Sequence, residues 1–235
     1  MANPGDHPDG SGGPHVFVDD VEQPVLSEQD LHHLGRVRRL REGDAITVSD
    51  GCGRWRAARF GAEPTPAGDV VTVARPAPLI TIGITAVKGD RTSWAIQKLT
   101  ELGVDRIAII ESSRSVVRWR EAKADKALER LDAVARSAAC QSRRVWLPEV
   151  VGPIAAAEAL GWAGAAVAQK GGEAPSSMNH TLLIGPEGGW TEAELEAAAH
   201  RVDLGPGVLR AETAAVAGAT LLCGIRGHLV RGHAE

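Results

Sequence analysis

The apolar residues of the chain follow two regimes. Up to about residue 74 they form short clusters, HVFV (15–18), AITVSD (45–50), RWRAARF (54–60) and DVVTVA (69–74), separated by stretches rich in glycine, aspartate and proline. That is the pattern of short β-strands joined by turns, with SDGCGR (49–54) as a glycine-bearing hairpin turn. One helix interrupts it, in SEQDLHHLGRVRRL, where Ser27 is a suitable N-cap. A small β-barrel over residues 15–76 fits this pattern. Beyond residue 79 the rhythm changes. Apolar runs of buried-strand length, LITIGITAV (79–87), RIAIIES (106–112), AAVAQ (165–169), TLLI (181–184) and VDLG (202–205), alternate with segments of helical period. TSWAIQKLTELG places Ile96, Leu99 and Leu102 on one face and ends at Gly103, a residue type suited to a left-handed C-terminal cap. Residues 121–144 carry Leu128, Leu131, Ala135 and Ala138 at helical spacing. The alternation predicts an α/β domain with a mainly parallel sheet over residues 77–235. Two prolines in ARPAPL (74–79) disfavour both helix and central strand and mark the junction.

Two strand-to-helix junctions of the second region carry candidate chemistry. In TLLIGPEGGWTEAEL (181–195) a buried strand breaks into GPEGG, and Thr191 with Glu194 forms a capping box that starts a helix near Glu192. Ligands of open α/β sheets bind beyond the carboxyl ends of the strands, where glycine lets main-chain groups approach closely. Gly185, Gly188 and Gly189 permit that approach, Pro186 stiffens the loop, and Glu187 can accept hydrogen bonds from a ligand. LGPGVLRAETAAVAGATLL (204–222) repeats the arrangement, with Val208 and Leu209 as apolar contacts. Each loop alone is only a tight turn. Two within thirty residues, at the same end of a parallel sheet, predict a pocket for a flat, partly apolar ligand.

Composition narrows the class. The 235 residues, 43% hydrophobic, suffice for one large or two modest domains. No run approaches the roughly 20 apolar residues of a membrane span. MANPGDHPDGSGGPH, with neither basic start nor apolar block, reads as a flexible tail (1–14) rather than an export signal. Cys52, Cys140 and Cys223, an odd number at wide spacing, fit neither a disulfide framework nor a metal site, and a reducing cytoplasm is the simplest location. GxGxxG after a strand, GxxxxGK[ST], HExxH and GxSxG are all absent, which removes the dinucleotide, Walker-type, zincin and hydrolase readings. The net charge is −4, but it is segregated. Residues 1–30 hold seven acids and no Lys or Arg; residues 36–59 hold seven arginines against three acids; residues 88–144 hold thirteen Lys or Arg against eight acids. Two basic tracts suggest a phosphate-binding surface. Its candidate members are Arg36, Arg38 and Arg39 in the first region and Lys88, Arg91, Arg114, Arg118, Arg143 and Arg144 in the second.

These residues also carry a resemblance. LLIGPEGGWTEAELEAA followed by LGPGVLRAETAA resembles the two signature loops of the RsmE family, bacterial SPOUT-superfamily methyltransferases acting on 16S ribosomal RNA. KGDRTSWAIQKLTELGV (88–104) and SAACQSRRVWLPEV (137–150) are similar to two further blocks of that family, in the same order. The resemblance covers nearly everything after residue 15. It implies a PUA-like N-terminal barrel and a C-terminal SPOUT domain with a deep trefoil knot, binding S-adenosyl-L-methionine. It also implies a homodimer, and methylation of N3 of one uridine near the decoding site of the small ribosomal subunit.

By the same resemblance the cofactor pocket comprises Ala168 and Gln169, Ile184, Gly185, Pro186, Glu187, Gly188 and Gly189, and Leu204, Gly205, Val208, Leu209, Arg210 and Thr213. Gly207, Ala211 and Gln169 depart from the family pattern. Removal of the uridine N3 proton needs a base or a solvent path, for which Glu187 and Glu212 are the candidate carboxylates. Arg210 is the candidate for stabilising negative charge on the base or holding a phosphate, with a salt bridge to Glu212 as its structural alternative. Two other functions stay open: a SPOUT enzyme acting on another RNA, such as a transfer RNA ribose, and a non-catalytic ribosome-assembly factor.

Overall fold

The computed structural model describes residues 7–119 and 122–230, so Glu121, where the long helix was expected to start, lies outside the described residues. The chain divides into two compact units, Met1–Pro76 with Arg136–Leu147, and Ala77–Ala135 with Pro148–Glu235.

The first unit contains β1 (His15–Phe17), α1 (Glu28–His32), β2 (Ala45–Ser49), β3 (Arg54–Arg59), β4 (Thr65–Pro66) and β5 (Val71–Thr72). β2 and β3 pair antiparallel as the two arms of the expected hairpin. Its turn is held by Asp50, whose Oδ1 accepts the N–H groups of Cys52 (2.7 Å) and Arg54 (3.0 Å). β4 and β5 add antiparallel to β3, and β1 adds parallel to β2. Ser27 caps α1 by accepting from Asp30 N (3.0 Å), and a π-helical turn, His33–Val37, follows. Val16, Val18, Leu34, Ile46 and Val48 form the core.

Two findings differ from the sequence pattern. Residues expected as tail are in part laid along β2: Thr47 N donates to the Pro14 carbonyl (2.9 Å), and a Cβ on Gly13 would meet the Ala45 carbonyl. Residues 136–147, including Arg143 and Arg144, belong to the first unit. Gly53 N donates to Val145 O and Leu147 N to Gly51 O, both at 2.9 Å. Side chains at Gly51 and Gly53 would overlap Leu147 and the Trp146 ring. Helical periodicity runs straight through α3 (Ala122–Ser142) and carries no mark of where one unit gives way to the other.

Burial makes His15 a pH-sensitive part of this unit. The ring is buried; Nε2 donates to the Arg144 carbonyl (3.2 Å), and Nδ1 takes the Thr47 hydroxyl hydrogen (2.8 Å), so the neutral ring is fully satisfied. Burial, with Arg143 nearby, pulls its pKa down to about 4 against the opposing carbonyl bond. The unfolded chain therefore binds a proton near pH 6.5 that the folded chain refuses until about pH 4. The stability this provides is fully present above pH 6.5 and is lost as the pH falls to about 4, a loss of about 3 kcal/mol. Denaturant unfolding at a series of pH values should show it, with His15→Gln giving a shallower decline; parallel declines would refute it.

The second unit contains β6 (Thr81–Thr85), α2 (Arg91–Leu102), β7 (Arg106–Glu111), the first part of α3, β8 (Glu149–Ala155), α4 (Ala156–Ala159), β9 (Ala165–Glu173), β10 (Thr181–Ile184), α5 (Glu192–Ala197), β11 (His200–Val202) and α6 (Ala211–Arg226). The sheet order is β11-β9-β10-β6-β7-β8, every pair parallel. Ile82, Ile84, Ile107, Ile109, Leu182 and Leu183 are buried, as strands covered on both faces require. Gly103 adopts φ +97° and closes α2, as its sequence suggested. Gly218 lets α6 lie close to β10, since a Cβ there would meet Leu182 Cδ2 at 2.4 Å. β8 has no counterpart among the strands expected from the sequence, and the strand expected at 202–205 is β11 at His200–Val202, because Asp203 accepts Gly205 N and turns the chain there.

Candidate functional site

Because β9 and β10 run parallel, their C-terminal ends open on the same edge of the sheet, and the chain after β11 returns to that edge before α6. There, within the second unit, stretches around 168–170, 184–190 and 203–214 enclose a cavity of about 240 Å³.

Each stretch is fixed by its own sequence. In the GPEGG loop Gly189 (φ +71°) donates to the Pro186 carbonyl (2.8 Å), closing the turn. The buried Trp190 ring packs beneath Gly185, and its Nε1 donates to Ala168 O (3.3 Å), joining this loop to the end of β9. The expected capping box is present, and helix α5 starts at Glu192. Glu194 also accepts Ser113 N (2.9 Å); burial works to raise its pKa, but these backbone bonds outweigh it and hold the carboxyl below its ordinary value. Arg114 donates to the carbonyls of Gly188 (3.0 Å) and Trp190 (3.2 Å). Asp203 ties the other two stretches: Oδ2 accepts Gly171 N (2.7 Å) and Oδ1 accepts Gly205 N (2.9 Å), and these two bonds, in that order, lower its pKa. Lys170 Nζ reaches the Pro206 carbonyl (3.1 Å).

The acidic groups meet one cation. Arg91, the first residue of α2, places Nη1 2.9 Å from Glu187 Oε1 and 3.4 Å from Glu212 Oε1. The hydrogen bond to Glu187, then the charge of Glu212, raise the arginine's pKa further. The Glu212 side chain is 10% exposed, and its Oε2 is buried without a hydrogen-bond partner. Arg210 is exposed at the N-cap of α6 and makes no side-chain capping bond. Arg91 occupies the place beside Glu212 that the sequence offered to Arg210.

Of the residues expected to hold a cofactor, Ala168, Gln169, Ile184, Gly185, Pro186, Glu187, Gly189, Leu204, Gly205, Val208 and Leu209 line the cavity, whereas Gly188, Arg210 and Thr213 do not. Lys170, Trp190, Asp203, Gly207, Ala211 and Ala214 also line it. Trp190 directly follows GPEGG, and Asp203 with Gly205 has the spacing of an aspartate-capped turn; both signals were readable. The candidate RNA-binding residues fall in both units. Arg36, Arg38 and Arg39 are exposed after α1, and Arg143 and Arg144 are half-buried in the same unit. Lys88, Arg114 and Arg118 are exposed in the second unit, Arg118 donating to Ser113 O (3.1 Å). Among the described residues no group of His, Cys, Asp or Glu could hold a metal ion, and no helix is long and apolar enough to cross a membrane.

Comparison with known proteins places the chain among RNA methyltransferases. Residues 75–223 match the model of an RNA methyltransferase domain and residues 26–64 that of an RNA methyltransferase PUA domain. The chain is 35% identical to the ribosomal RNA small subunit methyltransferase E of Mycobacterium bovis, over an alignment that covers 81% of this chain and 82% of that protein. A probable rRNA-methyltransferase from Porphyromonas gingivalis superposes with a TM-score of 0.78 at 27% identity, covering 93% of this chain and all of that one. A ribosomal RNA small subunit methyltransferase E from Neisseria gonorrhoeae, solved bound to S-adenosyl methionine, superposes at 0.74 with 30% identity over 89% of this chain and 96% of the other. With a parallel-sheet domain matched across most of its length and relatives alike over both regions, the chain belongs to the RNA methyltransferase family of the ribosomal RNA small subunit methyltransferases E.

Proposed function

We propose that the protein is an S-adenosylmethionine-dependent methyltransferase that modifies N3 of a uridine in 16S ribosomal RNA, within the small subunit, acting in the cytoplasm as a homodimer. The observation that carries this reading is the cavity at the carboxyl edge of the parallel sheet, built from the loops by which the chain resembles its family. Its donor set suits a cofactor that is flat at one end and charged at the other. Ile184, Leu204, Val208 and Leu209 supply apolar wall, and Gln169, Lys170 and Asp203 supply polar groups. At Gly205 (φ +129°) and Gly207 a Cβ would meet nothing within 4 Å, so the main chain there is open to a ligand. The knotted SPOUT topology is part of the proposal, supported by the family to which the chain belongs.

Bound there, S-adenosylmethionine supplies an electrophilic methyl group. The chain's own task is to hold the uracil ring in line, exclude water and dispose of the N3 proton. Both candidate carboxylates meet Arg91, Glu187 at 2.9 Å and Glu212 at 3.4 Å; Glu212, nearly buried between the cavity-lining Ala211 and Ala214 and with its second oxygen unpartnered, is the better-prepared acceptor of that proton. Arg210, exposed beside the cavity-lining Leu209 and Ala211, is the group to stabilise negative charge on the uracil carbonyl oxygens.

The test is methylation of small ribosomal subunits from a strain lacking the gene, followed by mass spectrometry of the nucleosides. A gain of 3-methyluridine is expected. Cofactor binding without product would overturn the substrate, and absence of cofactor binding would overturn methyl transfer in favour of an assembly role.

RNA affinity is assigned to the exposed arginines. Replacing Arg36, Arg38 and Arg39 with glutamine should weaken binding to small-subunit RNA and make it less salt-dependent, lowering the log–log slope by roughly 0.7–0.9 for each phosphate no longer neutralised. Cofactor affinity should stay constant. If it fell in parallel, the assignment of RNA and cofactor to different units would be wrong.

A further inference from the structure

Arg91 begins α2, where a cation meets the unfavourable end of the helix dipole and gains nothing from the helix. The turn that leads into it is built with care. Thr92 is buried, and its hydroxyl accepts Val87 N (3.0 Å) and donates to Val87 O (3.1 Å), while Gly89 takes φ +72°. Asp90, which would normally cap the helix, turns instead to Arg130 (2.8 Å) and makes no side-chain capping bond. The result fixes a single guanidinium nitrogen between a carboxylate of the GPEGG loop, Glu187, and one in the first turn of α6, Glu212. Arg91 and Glu187 are 36% and 57% exposed, so that arm adds little to folding stability. Its geometric effect is larger, because Glu187 lines the cavity and Glu212 lies between the lining Ala211 and Ala214, 96 and 121 residues away in sequence.

We propose that Arg91 is a positioning residue: through Nη1 it latches the GPEGG loop to the start of α6 and so preorganises the cavity, and it is not a phosphate contact. The inference rests on the functional reading above. With its guanidinium already shared by two carboxylates, Arg91 is poorly placed to take a phosphate as well. Glu212 would in turn be left as a nearly buried carboxylate without its cation if Arg91 were removed, a situation that costs far more than the pair contributes.

The test uses Arg91→Gln, Glu187→Gln, Glu212→Gln and the two double variants that contain Arg91→Gln. Hydrogen exchange of the cofactor-free protein comes first. The amides of Gly189, bonded to Pro186 O, and Ala214, bonded to Arg210 O, should exchange several-fold faster in Arg91→Gln, with the amides of β6 and β10 unchanged. Affinity for S-adenosylhomocysteine should fall about tenfold in Arg91→Gln and in Glu187→Gln, and no further in the double variant, because one latch is being removed twice. Adding Glu212→Gln to Arg91→Gln should recover part of the lost thermal midpoint, and Arg91→Lys should restore part of the affinity. The salt dependence of RNA binding should not change. Additive losses, unaltered exchange at Gly189 and Ala214, or a shallower salt slope in Arg91→Gln would each overturn the proposal, the last by returning Arg91 to the RNA surface. A wild-type protein that binds no S-adenosylhomocysteine would refute the functional reading, and the exchange data would still decide the latch.

Discussion

Gly185→Val is expected to abolish binding of S-adenosylmethionine, raising its Kd by about 100-fold or more, which corresponds to about 2.7 kcal/mol. A Cβ at this position would lie 2.9 Å from Cε2 and 3.0 Å from Nε1 of Trp190, closer than carbon atoms tolerate. The indole cannot slide away cheaply. It is 5% exposed, packed among Ala108, Ile110, Val167 and Leu183, and held by its bond to Ala168 O. Gly185 and Trp190 both line the cavity, so either the loop moves into the cofactor's space or the ring does. Such overpacking costs about 1–3 kcal/mol of stability, which leaves the fold intact. Titration calorimetry beside a thermal melt separates the two effects, and a folded Gly185→Val protein with wild-type affinity would show that the cofactor binds elsewhere. At Gly188 the same Cβ would sit 3.7 Å from the Arg114 side chain, an ordinary contact outside the cavity, so a much smaller loss is expected there.

That contrast shows what the sequence could and could not express. GPEGG announces that main chain must come close to something, but three glycines offer three answers. Only the position of Trp190, set by how the loop folds back onto Ala168, selects Gly185. The elements whose signals are local were legible: the capping box at Thr191, the left-handed Gly103, the Ser27 cap and the continuous buried runs of β6, β7 and β10. Features that depend on strand order were not. Glu212 and Arg210 are two residues apart at a helix start and do not face each other, so their pairing was a weak expectation. Arg91 reaches Glu187 because β10 lies beside β6, and Glu212 because α6 packs on those two strands and on α2. No periodicity encodes that neighbourhood. The same holds for residues 136–147, whose attachment to the hairpin at 51–53 depends on glycines with room for Leu147 and Trp146. Basic residues were the least legible class. A count of charges along the chain cannot distinguish Arg36, Arg38 and Arg39, on the surface after α1, from Arg91 and Arg114, whose guanidinium groups bond to loops around the cavity.

The far end of α6 permits a separation of stability from binding. Arg226→Ala is expected to destabilise the protein by about 3–5 kcal/mol, because it strips the cation from a buried carboxylate. Asp105 is 3% exposed; its Oδ2 accepts Ile80 N (2.8 Å) and the Nη1 of Arg226, whose Nη2 donates to the Gly103 carbonyl (2.9 Å) and whose Nη1 also reaches Pro78 O (3.3 Å). One guanidinium thus holds the end of α6, the cap of α2 and the chain entering β6. For a protein of this size such a loss lowers the thermal midpoint by about 10 °C. If the buried charge is the cause, adding Asp105→Asn to Arg226→Ala should recover part of the loss, since removing both charges leaves no carboxylate without its cation. Binding should respond differently. Arg226 and Glu212 are fourteen residues apart on α6, about 21 Å along its axis, with the cavity at the Glu212 end. Cofactor affinity measured well below the lowered midpoint should therefore stay within about threefold of wild type, a difference of under ~1 kcal/mol. A loss of affinity as large as that of Gly185→Val would mean that α6 transmits strain along its length, and that the latch at its first turn is set by the ion pair at its last.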